Sequence, residues 1–240
     1  MLAALLLAPA AHAMGAPDCA PEDLAPVDAW LDRHPWKVGA TSPDAMVAAA
    51  CKLWPFDKTT LIVAAAYAQD KEQDKNLVVA LVDTKTMAVR TAFQGTVRED
   101  ATWSIGQGSL RIDTAPYDLA PGVRAIGVDV TSEPIAGTLV RDGVTAARSL
   151  FVTDGASLRL VLDGFVLTTW HKPAGAADAT TTIAKIAIDP HRTHGYADLR
   201  ITRTTTAPAA TKPERTTLVY DGLHYGDGAG WQRHEVEPQP

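Results

Sequence analysis

Charge is nowhere concentrated in this chain. Its 28 acidic and 22 basic side chains leave a formal net charge of −6, and no Lys/Arg cluster stands out. Such a surface has no general attraction for phosphate backbones, so nucleic acid and anionic membranes are not expected partners. Long apolar runs are also scarce. The one stretch of note, Leu2 to Ala11, falls far short of the roughly 20 residues a membrane-spanning helix needs. Catalytic signatures are missing too: there is no Gly-x-Ser-x-Gly elbow and no HExxH helix. Gly106-Gln107-Gly108, between Ser104 and Ser109, is followed by no helical pattern and so makes no phosphate-binding loop. Only two cysteines occur, Cys19 and Cys51, and they lack the Cys-x-x-Cys spacing of a redox pair.

What is present describes a globular protein. With 46% hydrophobic and 21% charged residues, disorder is excluded, and 240 residues suffice for a good core without many disulfides. Ala11-His12-Ala13 has the small-x-small form of a signal-peptidase site, so residues 1–13 read as a signal peptide and the mature chain begins near Met14. The basic n-region is missing, which implies either a start further upstream or an atypical signal; a buried helix is the alternative. Ala16-Pro17-Asp18 before Cys19 is no lipobox. A periplasmic or secreted location follows, and there an isolated cysteine pair forms a structural bridge. Closing a loop of about thirty residues contributes roughly 3–4 kcal/mol in the chain-entropy description.

Residues 14–57 carry a helical period. Pro21-Glu22-Asp23 opens one helix, with Leu24, Val27, Trp30 and Leu31 on one face and a stop at His34-Pro35. Ser42-Pro43-Asp44 opens a second, with Met46, Val47, Ala50, Cys51 and Trp54 on one face and a stop at Pro55. From residue 58 to 226 the period is two. Strands are expected over Thr59–Tyr67, Asn76–Asp83, Met87–Gln94, Ser109–Asp113, Val123–Val130, Thr138–Arg141, Ser149–Thr153, Leu158–Leu162, Phe165–His171, Thr181–Ile188, Ala197–Arg203, Arg215–Tyr220 and Leu223–Tyr225.

The centre of this pattern is Arg148 to Trp170, three apolar runs separated by Asp154-Gly155 and Asp163-Gly164. Asp-Gly between β-branched and aromatic residues is a strong hairpin signal, because a type I′ turn needs positive φ at both central positions. Asp142-Gly143 and Asp221-Gly222 read as turns of the same kind, and the recurring hairpin makes a faint repeat. The strands are too few for a complete propeller. The fold class is therefore all-β: an antiparallel sandwich or incomplete propeller of short hairpins, preceded by two short N-terminal helices. Thr204–Glu214 reads as an exposed loop, and residues 227–240 as a frayed C-terminal tail.

His191-x-x-His194, with Asp189 and Asp198, is the densest group of metal-capable side chains. A surface pair in a turn supplies two ligands where zinc takes three or four, so no metal and no cofactor is expected. Paired carboxylates such as Asp23/Asp28 and Glu99/Asp100 sit in polar contexts without the burial that raises a pKa. Trp103, Tyr117, Trp170, Tyr196, Tyr220, Tyr225 and Trp231 lie near turns and strand ends, where exposed aromatics make protein-binding hot spots. Trp170, His191, His194, Tyr196, Asp198 and Tyr225 are the candidate binding surface.

The segment Asp189-Pro-His-Arg-Thr-His-Gly195-Tyr196-Ala-Asp198-Leu199 resembles the Asp-x-Asn-x-Asp-Gly-Tyr-x-Asp-Leu turn of FG-GAP-type blades. It is also similar to the C-terminal part of some periplasmic lysozyme inhibitors of β-rich fold. Where calcium-binding FG-GAP members carry carboxylates, this chain has Pro190, Arg192 and His194, so the resemblance implies the turn without the ion. Ala50-Cys51-Lys52-Leu53-Trp54-Pro55 followed by a β region resembles exported proteobacterial proteins of unknown function. Together these readings imply a non-enzymatic envelope protein that binds another macromolecule, with inhibition of a cell-wall hydrolase as the specific expectation. A secreted hydrolase acting on envelope polysaccharide is the alternative, since any two acids at suitable separation would serve.

Overall fold

A computed structural model describes residues 19–36, 45–69, 74–100, 102–132, 141–176, 178–206 and 212–226, and the backbone of 236–238. The signal peptide 1–13, most of the strand expected at Thr138–Arg141, the middle of the loop at 204–214 and most of the C-terminal tail lie outside the described residues.

Among the described residues one helix, α1 (Pro21–Leu31), precedes the sheet. Pro21 opens it, Glu22 and Asp23 sit in its first turn where the helix dipole favours negative charge, and it ends three residues before the expected stop. Leu24 and Val27 are buried with Cys19 against the outer face of the strands that follow. Those strands form one antiparallel meander: β1 (Met46–Leu53), β2 (Thr60–Ala68), β3 (Lys75–Asp83) and β4 (Ala88–Val97). Next come β5 (Leu110–Ala120), β6 (Val123–Thr131), β7 (Asp142–Asp154) and β8 (Ser157–His171), again paired in sequence order. The chain continues through β9 (Thr180–Thr193), β10 (Tyr196–Thr206), β11 (Glu214–Tyr220) and β12 (Tyr225–Gly226), and β13 (Val236–Pro238) pairs back onto β4. The all-β class is thus observed, with all thirteen strands joined in one connected sheet. Among the described residues its one parallel contact is the single pair Ala92↔Ser157 between β4 and β8.

Period-two alternation buries β2 and β3 on both sides. Ile62, Ala64, Leu77 and Val79 face a core closed by Leu110, Ile126, Val128, Phe151 and Leu160 from β5–β8. Val63, Ala65, Val78 and Ala80 face α1. A second core lies between the far parts of β5–β8 and β9–β12, with Leu119, Val152, Leu162 and Phe165 against Leu199, Ile201, Leu218 and Tyr225.

Four expectations are corrected. The second helix does not form: Met46–Leu53 is β1, paired residue by residue with β2 from Ala48↔Ala66 to Leu53↔Leu61. Ala48, Ala49 and Ala50 are buried there, and small side chains on both strands let the neighbouring layers close in. Long-range pairing overrides the local period. Asp163-Gly164 makes no hairpin, because β8 runs straight through it. The ladder pairs Arg148↔Phe165 and Leu150↔Leu162, so Ser149 alone stands opposite two residues, Asp163 and Gly164, one more than a regular ladder allows. Gly164 takes the left-handed φ of 47° that this bulge requires, and its N–H donates to Ser149 Oγ at 3.0 Å. Asp142-Gly143 opens β7 and is no turn; its Cβ-less backbone lies against the Trp170 ring. Finally, β9 extends past Ile188 to Thr193 and absorbs most of the loop expected there. Pro190, which lacks a donor, falls in the register break where Asp198 stands opposite three residues of β9.

Candidate functional site

The β9–β10 hairpin turns on two residues. His194 (φ 48°) and Gly195 (φ 86°) both occupy the left-handed region, as a type I′ turn demands. Asp189 Oδ1 accepts the His191 N–H at 3.0 Å, and Arg192 Nη1 donates to the Leu119 carbonyl at 2.7 Å, fastening the hairpin to β5. Asp198, 2% exposed, accepts a hydrogen bond from His191 Nδ1 through Oδ2. Its Oδ1 is buried without a partner. His194 Nδ1 lies 3.0 Å from the Tyr220 carbonyl. A carbonyl and a carboxylate can only accept from these neighbours, so each ring donates through Nδ1 and has Nε2 as its other nitrogen. The His191 side chain is 73% exposed, so that nitrogen faces solvent.

Beside this tip lies a tyrosine stack. The Tyr196 and Tyr220 rings are 4.4 Å apart and nearly parallel, and Tyr225 tilts against Tyr220 at 5.2 Å. Arg159, from the start of β8, ties them together: Nη1 donates to Tyr220 Oη at 2.9 Å and to the Leu223 carbonyl at 2.8 Å, while Nη2 reaches Tyr196 Oη at 3.4 Å. Tyr220 donates to the Gly222 carbonyl and Tyr225 to the Ala197 carbonyl. Burial pushes the Tyr196 and Tyr225 hydroxyls above the ordinary tyrosine range, so both are protonated donors at neutral pH. Between β11 and β12, Asp221 Oδ1 accepts the N–H groups of Leu223 and His224, each at 2.7 Å. That turn holds Leu223 out, 63% exposed.

Five of the six residues expected to form the binding surface lie at one end of the molecule: His191, His194, Tyr196, Asp198 and Tyr225. Asp198 and Tyr225 are buried there, 2% and 4% exposed, so they support this end without forming part of its surface. Trp170 is not at this end. It pairs with Thr181 at the opposite end of β9, twelve residues from Thr193, or roughly 40 Å at about 3.3 Å per residue. Arg159 and Leu223 were not legible as members. Arg159 sits in a strand with no local hint of its tyrosine partners, and Leu223 resembles any apolar strand residue. Cys19 and Cys51 are joined, with Cα atoms 5.0 Å apart, and the bridge ties the start of α1 to β1. No helix among the described residues is long and apolar enough to cross a membrane.

A second polar cluster is buried in the sheet. The Arg148 guanidinium donates to Asp129 through Nη2 at 2.8 Å and also through Nε, and it meets Asp113 and Tyr117 Oη. Tyr117 donates to Asp113 Oδ2 at 2.9 Å, and Arg111 reaches Asp129 from the surface at 3.3 Å. Burial works against the Arg148 charge, yet its bond to Asp129 holds its pKa above the usual arginine value. Burial also pushes the Tyr117 hydroxyl up to about 12. The signal in the sequence was a charge inside an apolar strand, as at Gly127-Val-Asp129-Val. Every group here is paired, so this cluster fastens β5, β6 and β7 and offers no free acid or base. Elsewhere, burial raises the Asp28 carboxyl, which accepts from Tyr67 Oη, and Glu99 pairs with Lys75 at 2.7 Å. Among the described residues no group of three or more His, Cys, Asp or Glu side chains is placed to hold a metal ion.

The molecule is thus a disulfide-bonded, predominantly antiparallel β protein with a tyrosine–arginine–histidine cluster at one end. No family model, no curated protein and no solved structure matches the chain.

Proposed function

We propose that this chain is an exported, non-enzymatic binding protein of the bacterial envelope, and that its target is a protein, a cell-wall hydrolase in particular. The carrying observation is the end cluster: Tyr196 and Arg159, held in place on the buried Tyr220 ring and hydroxyl, beside the projecting Leu223. Tyr and Arg dominate binding hot spots, and preorganised side chains lose little entropy when a partner covers them. Arg159, Tyr220, Tyr225, His191 and His194 all bond within the cluster, and no hydroxyl or thiol among the described residues hydrogen-bonds His191 or His194 to form a nucleophile–base pair. On this reading the sheet is folded as a sandwich that keeps the cluster rigid, and the segment 189–199 keeps an FG-GAP-like turn without calcium. The bridge between Cys19 and Cys51 supports an oxidising compartment.

The test is a peptidoglycan-hydrolysis assay run on the pure protein and on lysozyme with the protein added. The expected result is no hydrolysis by the protein alone and suppression of lysozyme, weakened at least about tenfold by Leu223→Asp or Tyr196→Ala, the size of a hot-spot loss. Hydrolysis by the pure protein would instead establish a hydrolase acting on envelope polysaccharide. Suppression that survives both substitutions would remove the end cluster as the binding face.

A further inference from the structure

At the other end of the second core the sheet divides. β8 stays laddered to β7 along its whole length but pairs with β9 only from Thr168 to His171. Below Thr168 the two strands part, and a notch of about 250 Å³ opens between them. It is lined by Leu167 and Thr169 from β8 and by Thr182 and Ala184 from β9, with the fully buried Phe165 beneath. Arg203, from β10, is the one charged side chain in the lining. Its guanidinium lies 5.7 Å from the centre of the Phe165 ring and donates to Thr216 Oγ1 at 3.3 Å. Glu214 is its neighbour across the β10–β11 ladder, yet Arg203 takes part in none of the ion pairs among the described residues.

We propose that this notch binds a short anionic amphiphile, a carboxylate on an unbranched apolar tail, with its tail along Leu167 and Ala184 above the buried Phe165 and its carboxylate on Arg203. The charge decides the class of head group. An arginine with a neutral hydroxyl as its hydrogen-bond partner, beside an apolar wall, gains most from a carboxylate that its planar fork can hold with two hydrogen bonds. The volume decides the length. At about 250 Å³ the notch is smaller than the roughly 300–1,000 Å³ that drug-sized ligands occupy, so it limits the tail to a short one. The site lies apart from the tyrosine cluster and does not depend on the binding role proposed for it.

Octanoate titrated into the full chain, followed by amide chemical shifts and by calorimetry, tests this. The expected result is saturable one-to-one binding with shifts at Phe165, Ala184 and Arg203, weakened about tenfold or more by Arg203→Gln, as loss of a charged hydrogen bond implies. Ala184→Leu, which fills the notch, should abolish it; Thr182→Leu serves if the first variant fails to fold. 1-Octanol should bind the native protein more weakly than octanoate and be indifferent to Arg203→Gln. Absence of saturable binding, equal affinity for octanol, or octanoate affinity unchanged in Arg203→Gln would each overturn the proposal. So would a dimer that Ala184→Leu dissociates, because the notch would then belong to a second copy of the chain.

Discussion

Replacing Arg148 with methionine would leave Asp129, 2% exposed, and Asp113 without their main partner. Breaking a buried pair from one side costs about 3–5 kcal/mol, and the loss here should fall at the lower end because Arg111 still reaches Asp129. Urea unfolding of Arg148→Met measures it. Adding Asp129→Leu should recover much of the loss, since an apolar pair can replace a buried ionic one at little cost. Asp57 gives a pH prediction. The hydroxyls of Thr60 and Thr59 donate to its carboxylate, which lowers its pKa from 3.8 to about 2. A depressed pKa means the stability is present above 3.8 and is lost as pH falls through about 2. Asp57→Asn should flatten the acid limb of the unfolding curve between those values, read by circular dichroism at stepped pH. Little of this scale was legible beforehand. The position of Arg148 beside an apolar run was visible, but Asp129 lies 19 residues away and only the β6–β7 register brings the two together.

Three Asp-Gly pairs with one local chemistry have three different outcomes at the level of elements. Asp154 closes β7 and Gly155-Ala156 makes the two-residue loop to β8, so this Asp-Gly stands at a hairpin without the aspartate in the left-handed region. Asp163-Gly164 makes a bulge, and Asp142-Gly143 starts a strand. The difference lies in the partner. β7 is 13 residues long and accommodates both apolar runs of β8 side by side, so the chain gains more by passing through Gly164 than by reversing there. The same logic undid the second helix, whose alanines could be read with either period until β2 supplied a ladder. Strands that are continuous apolar runs between polar turn residues, such as β2, β3 and β6, were legible to within a residue or two. Ser149→Ala tests the bulge. It leaves the Gly164 N–H buried without an acceptor, so a loss of about 1–3 kcal/mol is expected in thermal or urea unfolding, with the β7–β8 ladder otherwise intact.

For the whole molecule, the all-β class and the cysteine pairing were legible because composition and spacing carry them. The way the meanders fold onto one another was not, since it rests on contacts between distant strands. The bridge spans 32 residues, which in the chain-entropy description contributes about 3–4 kcal/mol. Cys19→Ser with Cys51→Ser should lower the urea midpoint accordingly. Hydrogen exchange should show α1 losing protection before the sheet, because the helix is held by Leu24, Val27 and that tether. β8 carries a different consequence. It contributes Leu158 and Leu160 to one core and Leu162 and Phe165 to the other. The chain therefore has no seam at which it divides into two self-sufficient pieces. A fragment ending at Asp154 would leave β7 as a bare edge, and one starting at Ser157 would have half its apolar faces uncovered. Neither should fold alone, while the two expressed together should reassemble around the missing link.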